Sequence, residues 1–235
     1  MKYTLILFIF LFNIAKGQKH LYYKVITEAT IADFKSDSSK IFIEENDSLY
    51  KYKAIFDYVS KMFPNISYKK ITVKSTTSNK LYNVKSKGAA AIKADNQREY
   101  TIQISMHAPS HLDTATFDKL SFNAKVGMVA KQFGLIKEYS TSNFFQVMGL
   151  YFKKKSTSKS KRLNKDVNLY AIEAGLGYQL MSLTNETLDK LLIDFWRNKK
   201  EYKRYYNKST KHLMSADAIE TYMADYAIYQ LNQFK

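Results

Sequence analysis

The residues best placed for chemistry lie in VGMVAKQFGLIKEY, residues 126–139, where Lys131 and Gln132 interrupt an apolar run. At about 100° per residue, Phe122, Val126, Val129, Phe133 and Ile136 form one stripe, the expected core face of a helix. Ala124, Met128 and Leu135 form a second apolar strip, and Lys131 points in almost the same direction. A helix apolar on two sides lies inside its domain, so Lys131 is expected to face an internal surface or a cleft. Ionised lysine is costly there unless it is paired or hydrated.

Two other groupings carry possible chemistry. His107 and His111 have the i, i+4 spacing of a metal pair, with Asp113 nearby. Pro109 between them removes the helical geometry such a pair needs, so a surface pair is the simpler reading. The stretch RNKKEYKRYYNKSTK, 197–211, interleaves Lys199, Lys200, Lys203 and Arg204 with Tyr202, Tyr205 and Tyr206. That mixture suits a polyanion-binding or ring-stacking surface as well as a solvated helix face. The sequence has no Gly-rich phosphate loop, no G-x-S-x-G and no carboxylate pair suited to glycoside hydrolysis.

The elements that would position these groups follow from periodicity. Tyr52, Ile55, Phe56, Val59 and Phe63 predict a helix from Lys51 to Phe63, stopped by Pro64 and Asn65. KIFIEEN reads as a possible short strand. ISYKKITVKSTTS and EYTIQIS (99–105) are the clear strand signals, separated by a polar loop extending to about Asn96. A turn with Asp113, Thr114 or Thr116 as caps should lead into the central helix, roughly 117–138. STSNFFQVMGLYF reads as helical, 153–162 as a basic surface loop, and about 165–181 as a further helix. Leu188, Leu191, Leu192, Phe195 and Trp196 mark another helix, and a C-terminal one begins near Ser215. This order predicts an α+β fold, mostly helical, with one small sheet.

Composition sets the outer limits. The 235 residues are 46% hydrophobic and 25% charged, a globular balance with enough chain for one core. Residues 1–17, with Lys2, an apolar run from Leu5 to Phe12, and Ala15 and Gly17, read as a signal peptide too short to span a bilayer. The expected product is a single exported domain, 18–235, periplasmic or secreted, without a transmembrane segment. The absence of cysteine excludes disulfides. The net charge is +16, and loss of Lys2 and Lys16 with the leader leaves +14. Such a charge attracts polyanions, although Lys in place of Arg also describes an ordinary solvated surface.

LSFNAKVGMVAKQFGLI and the later IEAGLGYQL resemble a family of exported, zincin-like metallopeptidases from the Bacteroidetes group. The resemblance covers roughly residues 65–225, including ITVKSTTS and HLMSADAIETY. It implies a small sheet packed against a central active-site helix. In the family that helix carries H-E-x-x-H, whose histidines hold zinc while the glutamate acts as general base. Carried over, the positions are Lys131, Gln132 and Leu135, and a later acidic pair falls on Asn164 and Asn168. Leucine offers no lone pair and glutamine cannot take a proton from water at neutral pH.

The resemblance therefore implies a pseudoenzyme, with neither metal nor cofactor expected. Its partner would be a peptide, a protein or an anionic envelope polymer; an exported chain is not expected to meet nucleic acid. Lys131 would either replace the metal's charge, held by the asparagines or Asp166, or run out of a partly filled cleft to water. Two alternatives stand beside this reading. One is a basic envelope-binding module using the Lys/Tyr-rich surface, and the other a metal hydrolase relocated to His107, His111 and Asp113.

Overall fold

The structure, a computed structural model, describes residues 23–32, 40–77, 81–86, 97–108, 110–142, 157–191 and 213–230. The leader 1–17, the helix expected within 143–152 and the basic, Tyr-rich residues of 197–211 lie outside them. The fold is α+β and mostly helical, as expected. Its helices are α1 (Glu28–Ala32), α2 (Lys53–Met62), α3 (Phe122–Ser140), α4 (Thr157–Glu173), α5 (Gly177–Lys190), α6 (Ala216–Ala224) and α7 (Ala227–Gln230). None of the described helices is long and apolar enough to cross a membrane.

Four strands form one mixed sheet in the order β1-β2-β4-β3: β1 (Ile41–Ile43), β2 (Lys70–Thr77), β3 (Tyr82–Ser86) and β4 (Glu99–His107). β1, β2 and β4 run parallel, and β3 lies antiparallel against β4. The register builds apolar rows across the strands. Ile41, Ile71 and Tyr100 are aligned, and beside them Ile43, Val73, Ile102 and Val84. All of these are buried, so side chains one residue apart in each strand divide between core and outer face. The next row ends with Ile104 opposite Tyr82, which places Tyr82 on the core side of the edge strand.

The strand β3 falls inside the stretch expected to be a loop. Tyr82 and Val84 are its core-side residues, and the intervening Asn83 and Lys85 are polar, too short an alternation to separate from loop. The central helix also begins later than expected. Residues 110–115 and 117–119 form 3-10 turns, and the cap is Ser121, whose hydroxyl accepts from Ala124 N at 3.2 Å. At its other end the buried Arg98 donates to the carbonyls of Tyr139 (2.6 Å) and Ser142 (3.0 Å), closing the helix with a fixed positive charge.

Two further boundaries differ. The basic segment expected as a loop over 153–162 is, from Thr157 onward, the first turns of α4. The single helix expected over 165–181 is two, broken at Gly175. That residue takes φ 85°, Leu176 N bonds Ala171 O at 2.9 Å, and Gly175 N bonds Ile172 O at 2.9 Å. This is a Schellman ending, in which the left-handed residue is ordinarily glycine. Gly177 serves packing instead. A methyl there would lie 2.6 Å from Met223 Sδ, and its N–H donates to Tyr229 Oη at 2.9 Å. The C-terminal helix does start after Ser215, which caps α6, but it pauses at Asp225 before α7.

Candidate functional site

Helix α3 is enclosed because two of its glycines admit neighbouring backbones. A methyl added at Gly127 would lie 2.1 Å from the carbonyl oxygen of Gln179 in α5. One at Gly134 would lie 2.5 Å from that of Val167 in α4. Lys131 sits between these two contacts, on a helix buried at every position from Ala124 to Gly134. The expected internal placement of Lys131 is therefore what the fold produces.

The surroundings of Lys131 differ from both expected versions. The side chain is 3% exposed and its Nζ is sealed, so it does not run out to water. Nor is it held by Asp166 or the asparagines: among the described residues, Nζ has no hydrogen-bond partner. It lies 6.0 Å from the ring centre of Tyr82, the limit of a cation–π contact. The Tyr82 hydroxyl is likewise sealed and unpartnered. Burial alone lowers the Lys131 amine to about 7, with no charged neighbour offsetting it. Burial pushes the Tyr82 phenol well above its ordinary range.

None of the other expected site positions bonds the amine. Gln132 is 1% exposed, and its Nε2 donates back to Met128 O at 3.2 Å. Leu135 packs, partly buried, against the core. On α4, Asn168 is buried and Asn164 half-buried, an i, i+4 pair on either side of the turn where Val167 meets Gly134. The half-buried Asp166 bears electrostatically on Lys165 and Tyr170 instead. Tyr82 was not foreseen, because its strand was not; the signal was the alternation of Tyr82 with Val84.

A second lysine of α3 shows what an accommodated amine looks like. Lys125 is also buried, but its Nζ donates to Leu120 O at 2.6 Å and lies 5.1 Å from the Tyr52 ring centre. Burial lowers its pKa as well, and Asp118 opposes that shift.

Residues of the segments LSFNA and GLGYQL meet at the start of this helix. Asn123, from LSFNA, accepts from Ile26 N (2.9 Å) and donates to Ser182 Oγ (2.7 Å). Gln179, from GLGYQL, donates to the same Asn123 oxygen (3.1 Å) and to Tyr23 O (2.9 Å). The two motifs form one hydrogen-bonded joint between α3, α5 and the segment leading to α1.

Of the alternative metal site, His107 is exposed, with Nδ1 4.0 Å from Asp113 Oδ1. That carboxylate is already taken by Lys119 and by Ala108 N, which hold it below its usual range. The side chain of His111 lies outside the described residues. Among the described residues, no three His, Asp or Glu side chains converge as metal ligands. The proposed polyanion surface, Lys199, Lys200, Tyr202, Lys203, Arg204 and Tyr205, also lies outside them.

A cavity of about 220 Å³ opens where α2, α3 and α4 end, lined by Met62, Phe63, Ile66, Lys137, Tyr170 and Glu173. Its charges are matched internally by the Lys137–Glu173 pair at 2.8 Å. No protein-family model, no curated protein and no solved structure matches this chain.

Proposed function

We propose that this chain is a non-catalytic, metallopeptidase-like exported protein that uses the interior of a former active-site region to bind a peptide, a protein or an envelope polymer. The observation that carries the reading is Lys131, a sealed and unpartnered amine at the centre of α3. It stands where the resembled family places its first zinc ligand. A neutral amine could donate one lone pair to zinc, but Leu135 supplies none and Gln132 cannot act as the base. Further support comes from the helix-on-sheet arrangement around α3 and from the joint formed by the two resembling motifs. The leader-like residues 1–17 support export.

The test is zinc content of residues 18–235 after incubation with zinc and desalting, together with peptidase activity with and without chelator. No retained zinc and no chelator-sensitive activity are expected. Stoichiometric zinc would overturn the reading and direct mutation to His107 and His111. A second reading rests on the charge of +16: a basic module that binds anionic polymers through its lysines. It requires binding to anionic vesicles that weakens steeply between low and physiological salt.

A further inference from the structure

Among the described residues, Lys131 Nζ and the Tyr82 hydroxyl are both buried without a hydrogen-bond partner, and the amine lies over the Tyr82 ring, 6.0 Å from its centre. The amine belongs to α3 and the hydroxyl to β3, the edge strand of the sheet. A buried polar atom without a partner costs about 1–3 kcal/mol, and folds seldom keep two together without an occupant that pairs them. None of the described carboxylates of α3 and α4 reaches the amine. Glu138 accepts from the Tyr170 hydroxyl at 3.0 Å, Glu173 pairs with Lys137, and Asp166 bears on Lys165 and Tyr170. What the pair lacks is therefore an acceptor that also brings a negative charge.

We propose that Lys131 Nζ and the Tyr82 hydroxyl anchor a site for one carboxylate group. The ligand would place one oxygen against the ammonium and the other against the phenol O–H. A carboxylate can accept from two donors, and its charge balances the charge that Lys131 gains. A phosphate dianion would bring a second charge with no second cation to meet it, at a much greater desolvation cost. The proposal deepens the binding role proposed above and rests on it. Zinc content tests that role, and ligand titration tests this site, so either can fail alone. The carboxylate has two possible sources, a free small acid or the C-terminus of a peptide.

The experiment is a thermal-midpoint titration of residues 18–235 with sodium acetate, with sodium chloride at equal ionic strength as the control. N-acetyl-Ala-Ala and its C-terminal amide provide the peptide arm. Saturable stabilisation by acetate beyond chloride is expected, lost in Lys131→Met and weakened in Tyr82→Phe. Because the ligand must meet a protonated amine, its apparent affinity should be about tenfold weaker at pH 8 than at pH 6. Stabilisation by N-acetyl-Ala-Ala but not by its amide would extend the site to peptide C-termini; stabilisation by acetate alone would assign it to small acids. Acetate acting no better than chloride, or equally on Lys131→Met, overturns the proposal.

Discussion

Two polar side chains of helix α3, the half-buried Asn123 and the buried Lys131, have contrasting surroundings. At its start, Asn123 is joined by hydrogen bonds to Ile26, Ser182 and Gln179, linking three parts of the chain. Two turns later, Lys131 is more deeply enclosed and, among the described residues, meets no acceptor. The first arrangement is that of a structural joint, in which each group answers another. The second leaves an amine whose pKa burial lowers to about 7. Asn123 and Gln179 tie α3 to α5 and to the segment before α1, whereas Lys131 and Gln132 sit enclosed near the middle of α3.

The largest effect should come from closing the gap between the two helices that share the joint. Gly127→Ala places a methyl 2.1 Å from the Gln179 carbonyl oxygen, a rigid backbone atom on the joint's other side. The helices must then separate, and a loss upward of ~4 kcal/mol in urea unfolding is expected. An unchanged midpoint would mean that α3 and α5 do not approach as described.

The opposite sign is expected at the second place. Lys131→Met keeps a long side chain and removes both the unmet donors and the cost of neutralising an amine. A gain of roughly 2–4 kcal/mol at pH 7 should follow, read as a higher unfolding midpoint. The pH dependence is equally specific. Below about 7 both folded and unfolded chains hold the Lys131 proton, so this group adds no slope. Between about 7 and 10.5 only the unfolded chain holds it, so wild-type stability should rise with pH, by up to ~1.4 kcal/mol per unit relative to Lys131→Met. Equal slopes in the two proteins would show that the amine has found a counter-charge.

Much of this architecture was legible in the residues, for reasons that differ by element. The two-sided apolar pattern of α3 could only belong to an enclosed helix, so the burial of Lys131 followed. The strands β2 and β4 carry enough β-branched alternation to be recognised alone. β3 does not: an edge strand needs only Tyr82 and Val84 turned inward, and its remaining residues suit a loop equally well. Without that strand there was no way to find Tyr82, which reaches Lys131 through strand pairing rather than through any local spacing. The first turns of α4 were missed because Lys and Ser fill them, and Leu163 is its first residue known to be buried. Asp166 lies between the two asparagines in sequence, but at 100° per residue it turns away from the Val167 contact.

At the joint itself, Asn123→Ala removes one acceptor and one donor together. Ile26 N and Ser182 Oγ would each lose a partner, and Gln179 would lose its hold on α3. A loss of about 2 kcal/mol is expected, with faster amide hydrogen exchange at Ile26. Loss of stability without faster exchange there would mean that the joint does not fix the segment before α1.

Tyr82→Phe should have the smallest effect and is informative for that reason. It removes a sealed hydroxyl and leaves the ring beneath Lys131, so a gain of only ~0.5–1 kcal/mol is expected in carboxylate-free buffer. The double variant Lys131→Met/Tyr82→Phe then tells whether the two groups act together. If both are simply unpartnered, their gains should add to within about 0.5 kcal/mol. In acetate they should not add, because either change alone already removes part of the shared ligand's stabilisation. Additivity in both buffers would separate the two residues and leave Lys131 as a lone buried amine.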